Sequence, residues 1–303
     1  MQEANPKLNS KTAGLAYSVN VVVYILVNLI ISIIIVAAAI PEDSDANIYL
    51  SYLAAPIALS IGCFLTLKYT KQSIREVAPV KCHYKYYIIA LLMIFGLLFA
   101  LTHISDLTLK LLELMGYTPR DDSSYLPSLK GGLIVPVLLV IAVLPAVLEE
   151  FLFRGVILNN IRYSVGDIRT IFIVGFCFSL FHGSPEQTVY QFISGCAFAF
   201  LAVRSGSILP SMLMHLLNNG IIIILHACGA TDSNGDLIIS QTGNIILTVV
   251  AALAFVGSVV WLVLDKKPMQ KGGNGGVKAF FIYASVGIVI LAIVWILSFV
   301  GVQ

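Results

Sequence analysis

The chain is 303 residues long, 58% hydrophobic and 11% charged, with a net charge of +2 and a mean hydropathy of +0.94. That composition excludes a soluble globular domain and describes a polytopic membrane protein. A near-neutral charge with no arginine-rich or aromatic-interleaved run excludes nucleic acid as a partner.

Hydropathy predicts about nine membrane helices, near residues 14–40, 48–67, 86–104, 132–158, 168–182, 187–203, 207–227, 243–264 and 279–300. The first follows Lys7 and Lys11 and ends on Ala37-Ala38-Ala39, superficially like a signal peptide, but its apolar run is too long for one and reads as a retained span. After the third, Leu107, Leu111 and Leu114 alternate with Asp106, Lys110 and Glu113, a pattern suited to a short helix lying in the membrane interface. Residues 1–303 read as one membrane domain without internal repeats. The glycine-rich connector Lys271–Gly276 makes 265–303 a candidate appended helix. Cys63, Cys82, Cys177, Cys196 and Cys228 have no metal or redox spacing and read as small core residues.

Basic residues gather in alternate loops. Lys68, Lys71, Arg75, Lys81 and Lys85 follow the second span; Arg162, Arg169 and Arg204 surround the fifth and sixth; Lys266, Lys267, Lys271 and Lys278 precede the last. The intervening loops carry Glu42, Asp43, Asp45, Asp232 and Asp236 instead. By the positive-inside rule the basic set is cytoplasmic, the N-terminus inside and the C-terminus outside.

The fourth span contains Glu149, Glu150 and Arg154. A carboxylate in hydrocarbon costs at least ~2.5 kcal/mol, so such a group needs a partner or a use. Glu150 and Arg154, four apart on one helical face, are expected to form an ion pair, which leaves Glu149 pointing elsewhere. The fifth span ends on Phe178 and His182, and the seventh carries His215 and Asn219, again four apart. Counted at ~1.5 Å per residue, Glu149, His182 and Asn219 each lie about 20 Å from the basic end, and His215 one turn nearer it. The polar groups of three helices can thus share one layer.

A carboxylate and an imidazole sharing a water can deprotonate it, while an imidazole and an amide can stabilise an oxyanion; together they describe hydrolysis of a peptide bond. Glu149, His182 and His215 can also be read as zinc ligands, although no HExxH spacing is present. A packing knot, a serine near His182 (Ser179 or Ser184) and a proton-coupled carrier are further readings. The carrier lacks repeat symmetry and the serines lack a GxSxG elbow.

Three segments resemble family motifs: Glu149-Glu150-Phe151-Leu152-Phe153-Arg154 the EExxxR motif, Phe178-Ser179-Leu180-Phe181-His182 the FxxxH motif, and His215-Leu216-Leu217-Asn218-Asn219 the HxxxN motif. These mark the Abi family of CAAX proteases and bacteriocin-processing proteins, intramembrane endopeptidases that include the type II CAAX prenyl endopeptidase. The resemblance covers residues 132–226 as a catalytic core. It implies an all-α, polytopic helical bundle with a conical intramembrane cavity. It makes Glu149 and His182 the groups that activate water, His215 and Asn219 the oxyanion stabilisers, and Glu150, Arg154 and Phe178 supporting residues. No metal is obligatory on this reading. Zinc, if bound, would sit on Glu149, His182 and His215. The implied substrate is a membrane-bound peptide or protein. The compact loops suit a bacterial plasma membrane, where relatives also serve as immunity factors.

Overall fold

The computed structural model describes residues 8–119, 126–129, 133–232 and 235–301; Lys7 and Gly132 fall outside them. The described chain is a bundle of α-helices: α1 (Ser10–Ala37), α2 (Asp45–Thr70), α3 (Lys85–Phe99), α4 (Thr102–Leu114), α5 (Ile134–Val165), α6 (Asp167–Phe181), α7 (Thr188–Ser205), α8 (Leu209–Ala227), α9 (Gln241–Leu264) and α10 (Asn274–Phe299). Polar caps start three of them. Asn9 accepts from the Thr12 N–H at 3.0 Å, Ser44 from Asn47 at 3.2 Å and Ser240 from Gly243 at 3.1 Å.

Among the described residues seven helical segments are long and apolar enough to cross a membrane, against the nine expected, with α3 and α4 counted as one. The two outside that set are α6 and α7. At 15 residues α6 rises ~22 Å, short of a ~30 Å hydrocarbon core. The 18 residues of α7 include Gln191, Ser194, Arg204 and Ser205. They form a hairpin, with Gly195 of α7 seated so closely on Gly175 of α6 that a Cβ there would lie 3.0 Å from its Cα. The amphipathic segment after α3 is helical, as α4, with Leu107, Leu111 and Leu114 exposed.

The last helix is not loosely appended. It packs along α1, where Gly14 leaves room for the α10 backbone and a Cβ would come within 2.9 Å of the Ala284 nitrogen. Ser18 Oγ donates to the Tyr283 carbonyl at 2.8 Å and accepts from the Gly287 N–H at 3.2 Å. Small residues permit this close approach, and close approach is what drives helix association in lipid. The connector before α10 is held as well, by a bridge between Gly166 and Lys271 and by the Gly273 N–H on the Ser164 carbonyl at 3.0 Å.

The basic loops meet at one end, as the charge pattern predicts. Asn160 accepts from the Asn9 N–H and from Gln72 Nε2, at 3.2 and 2.8 Å. Arg162 forks onto Asp167, the Ile208 N–H reaches the Pro79 carbonyl, and Arg204 donates to the carbonyls of Asp265 and Lys267. Away from it, the acidic 41–47 loop uses Asp45 Oδ1 to accept from the Ser128 N–H at 3.0 Å.

Asp265 is a clasp at the basic end, just beyond α9. Burial disfavours its charge, but hydrogen bonds from Tyr86 Oη at 2.7 Å, Lys85 Nζ at 2.9 Å and the Lys267 N–H at 3.2 Å outweigh that and hold its carboxyl well below the usual carboxylate range. A folded-state value below the unfolded one gives stability that is complete above the unfolded pKa of ~3.9 and is lost as pH falls further. Asp265→Asn should therefore lower the unfolding temperature at neutral pH, and the gap to wild type should close in strong acid. A gap that stays constant down to about pH 3 would remove the carboxylate from this role.

Candidate active site

The charged motif of α5 lies where the helix changes its hydrogen-bond register. Residues Leu138–Val143 and Phe151–Ile157 are π-helical, flanking the α-helical turn Leu144–Glu150. Such insertions concentrate at functional sites, because they re-aim side chains and free backbone groups. Side-chain amides reach several carbonyls of α5. Pro145 has no N–H to offer the Ile141 carbonyl four residues back, and that carbonyl accepts from Asn219 Nδ2 at 3.1 Å. Further along, Asn159 Nδ2 serves the carbonyls of Arg154 and Gly155 at 3.1 and 3.2 Å, together with that of Val77 at 2.8 Å.

The expected ion pair forms. Arg154 Nη1 lies 2.7 Å from Glu150 Oε1, and both side chains are 0% exposed. A second partner was not legible in the spacing: His215 Nδ1 is 3.1 Å from the same carboxylate oxygen. Arg154 also donates through Nη2 to the Gly195 carbonyl at 3.1 Å. Its guanidinium lies 4.4 Å from the Phe178 ring centroid and 5.1 Å from that of Phe198. Delocalised charge and a flat fork suit arginine to such an aromatic site.

Phe178 is the hub where the three helices meet. Its ring is edge-on to His182 at 4.7 Å, to His215 at 5.9 Å and to Phe153 at 5.2 Å. Phe198 contacts His215 at 5.7 Å and lies outside every motif. The signal available for it was position alone: a large aromatic on α7 close to Gly195.

The histidine tautomers follow from their partners. His182 Nδ1 faces the Phe178 carbonyl at 2.8 Å, and a carbonyl only accepts, so Nδ1 carries the proton. His215 Nδ1 likewise donates to Glu150. In the neutral rings Nε2 is the lone-pair nitrogen of both.

Glu149 is different from its neighbour. It is 8% exposed and makes no ion pair among the described residues, its Oε2 has no hydrogen-bond partner, as Glu150 Oε2 has none, and no hydrogen bond joins it to His182. Its charge is nevertheless in electrostatic range of His182, Arg154 and Tyr24 of α1. Asn219 is partly buried. Its amide orientation is set by the Ile141 carbonyl, and its Oδ1 accepts from Asn218 Nδ2 at 3.1 Å, leaving one N–H uncommitted. Asn218 in turn accepts from Tyr190 Oη at 3.1 Å, a link that no motif signals.

The structure thus joins Glu150, Arg154, His215, Phe178 and His182 in one cluster, while Glu149 and Asn219 make no direct bond to it. Among the described residues no three His, Cys, Asp or Glu side chains are grouped as a metal ion would need.

Residues 131–221 match the family model of the type II CAAX prenyl endopeptidase Rce1-like proteins. That segment is similar to this family. It overlaps the stretch that carries the three motifs and includes all seven site residues. Comparison with curated proteins and with solved structures yields no match.

Proposed function

We propose that the protein is an intramembrane endopeptidase that hydrolyses a peptide bond of a membrane-associated peptide or protein, in a conical cavity opening to the cytoplasmic side. The observation that supports this most is the division between two adjacent buried carboxylates. Glu150 has a countercharge, with Arg154 and His215 both on its Oε1, whereas Glu149 makes no ion pair among the described residues; the Oε2 atoms of both are buried without a hydrogen-bond partner. A buried carboxylate without a countercharge costs stability, and groups kept at that cost concentrate at functional sites.

In this reading Glu149 takes the proton of a water that His182 Nε2 helps to hold. The hydroxide attacks the carbonyl carbon of the scissile bond, and the proton passes to the leaving amine. The uncommitted N–H of Asn219 stabilises the oxyanion. His215 can join it only through Nε2 and only with both ring nitrogens protonated, because Nδ1 is spent on Glu150. The basic end is placed in the cytoplasm by the positive-inside rule, and a bacterial plasma membrane suits the compact loops. Asparagine is an uncommon zinc ligand, so activity is expected to survive a zinc chelator.

The test is incubation of the purified protein in detergent with a membrane-peptide library in ¹⁸O-water. One ¹⁸O should appear in the new C-terminal carboxylate of a product, with chelator present or not. Intact peptides throughout would move the assignment to a non-proteolytic immunity factor or partner-binding protein. That second reading draws on the Asn219–Ile141 hydrogen bond, a packing contact, and predicts that binding survives neutralisation of both Glu149 and His182.

A further inference from the structure

A pocket of about 400 Å³ lies away from the polar layer, at the basic end, between the α5–α6 junction, the end of α7 and the connector that follows α9. That volume falls within the range of small-ligand pockets, ~300–1,000 Å³. Its lining includes Arg162, Tyr163, Asp167, Arg204, Lys267 and Gln270.

The charges there do not cancel. Arg162 is paired with Asp167, at 3.1 Å, and Lys85 with Asp265, at 2.9 Å. Arg204 is 3% exposed and spends both terminal nitrogens on backbone carbonyls, which carry no net charge. Its nearest carboxylate oxygen, on the already paired Asp265, is 3.9 Å away, and its Nε has no partner at all. Lys267 rests on the carbonyls of Arg204 and Ser205, at 3.2 and 3.3 Å, which leaves its third N–H available. Four cations against two carboxylates leave a surplus of two positive charges around a cavity. A nearly buried guanidinium without a carboxylate of its own is costly unless an anion lies near it.

An apolar track begins beside the pocket. Ile168, one residue beyond Asp167, is 61% exposed, and Phe172 and Phe176 continue the same face of α6 at 56% and 40%. Spacing of four residues places these side chains in one line along the helix.

We propose that this pocket binds a phosphate-bearing anion, the headgroup of an anionic membrane lipid, with an acyl chain lying along Ile168, Phe172 and Phe176. A phosphate diester or monoester matches the positive surplus, and basic pockets between membrane helices are suited to lipid phosphates. The bound headgroup bridges α5, α7 and the connector, and so fastens the connector to the core.

The full-length protein, purified in a neutral detergent, is titrated with phosphatidylglycerol, phosphatidylcholine or inorganic phosphate and followed by native mass spectrometry and thermal unfolding. Phosphatidylglycerol should bind more tightly than phosphatidylcholine and raise the unfolding temperature. Lys267→Gln keeps a donor for the Arg204 and Ser205 carbonyls but removes the charge; it should weaken phosphatidylglycerol about tenfold while unfolding like the wild type when no lipid is added. Arg162→Gln, on the other wall, is a second variant with the same expected loss. Phe172→Ser should weaken the lipid and leave inorganic phosphate unaffected. Inorganic phosphate that binds as tightly as the lipid, with Phe172→Ser silent, would overturn the lipid assignment in favour of a soluble phosphate. Equal binding of both lipids, or no effect of either charge variant, overturns the site.

Discussion

Glu149→Gln is expected to lower the rate of peptide cleavage by at least about 10²-fold while leaving the unfolding temperature near that of the wild type. The side chain is buried, yet its Oε2 has no partner to lose, so the isosteric amide strands no charge and breaks no ion pair. What it loses is the basic lone pair that can take a proton from water. The measurement is kcat/KM on a peptide the wild type cleaves, with thermal unfolding of the same preparations. Full activity would remove Glu149 from the role of base. Loss of the fold together with activity would make it part of a packing knot.

Arg154→Ala is expected to have the opposite profile, destabilising the protein by about 3–5 kcal/mol before any effect on chemistry is considered. The deletion leaves Glu150 fully buried with His215 as its one remaining partner, releases the Gly195 carbonyl, and empties the space between Phe178 and Phe198. Arg154→Lys should recover little of this. One ammonium cannot bond Glu150 and the Gly195 carbonyl in a fixed fork while stacking on two rings. Replacing Glu150 and Arg154 together by methionines should cost less than the two single replacements combined, because neither charge is then left alone. Denaturant unfolding in detergent measures all five variants, and an Arg154→Ala protein as stable as wild type would end the ion-pair argument. Glu150→Gln adds a kinetic check. Loss of the carboxylate that holds His215 Nδ1 should lower kcat as well as stability.

The contrast between these two carboxylates also shows where sequence reasoning stops. That Glu150 pairs with Arg154 was legible because a helix places residues four apart on one face whatever surrounds it. The same local rule aligned Phe178 with His182, and the Phe178 ring meets both His182 and His215. The loop charges sorted the basic segments to one end for an equally local reason: lysine and arginine are expensive in hydrocarbon. An all-α membrane bundle, the polar layer and its family motifs were therefore available from residues alone.

Partner choice between helices was not. His215 binding Glu150, Asn219 serving the carbonyl left open by Pro145, and Phe198 backing Arg154 each depend on how far one helix is rotated and shifted against another. That rotation is set by backbone approach at Gly14, Gly175 and Gly195, whose missing side chains have no hydropathy signature. The π-helical register of α5 is accompanied by amide contacts to its carbonyls, from Asn219 on α8 and from Asn159 within the same helix. The place of α10 was hidden for the same reason, since a glycine-rich connector suggests freedom while Ser18 and Gly14 supply a docked surface. Periodicity and the cost of charge in hydrocarbon act within a segment and are written in its residues; which surfaces meet is decided by the packing of all segments at once, and that only the tertiary structure contains.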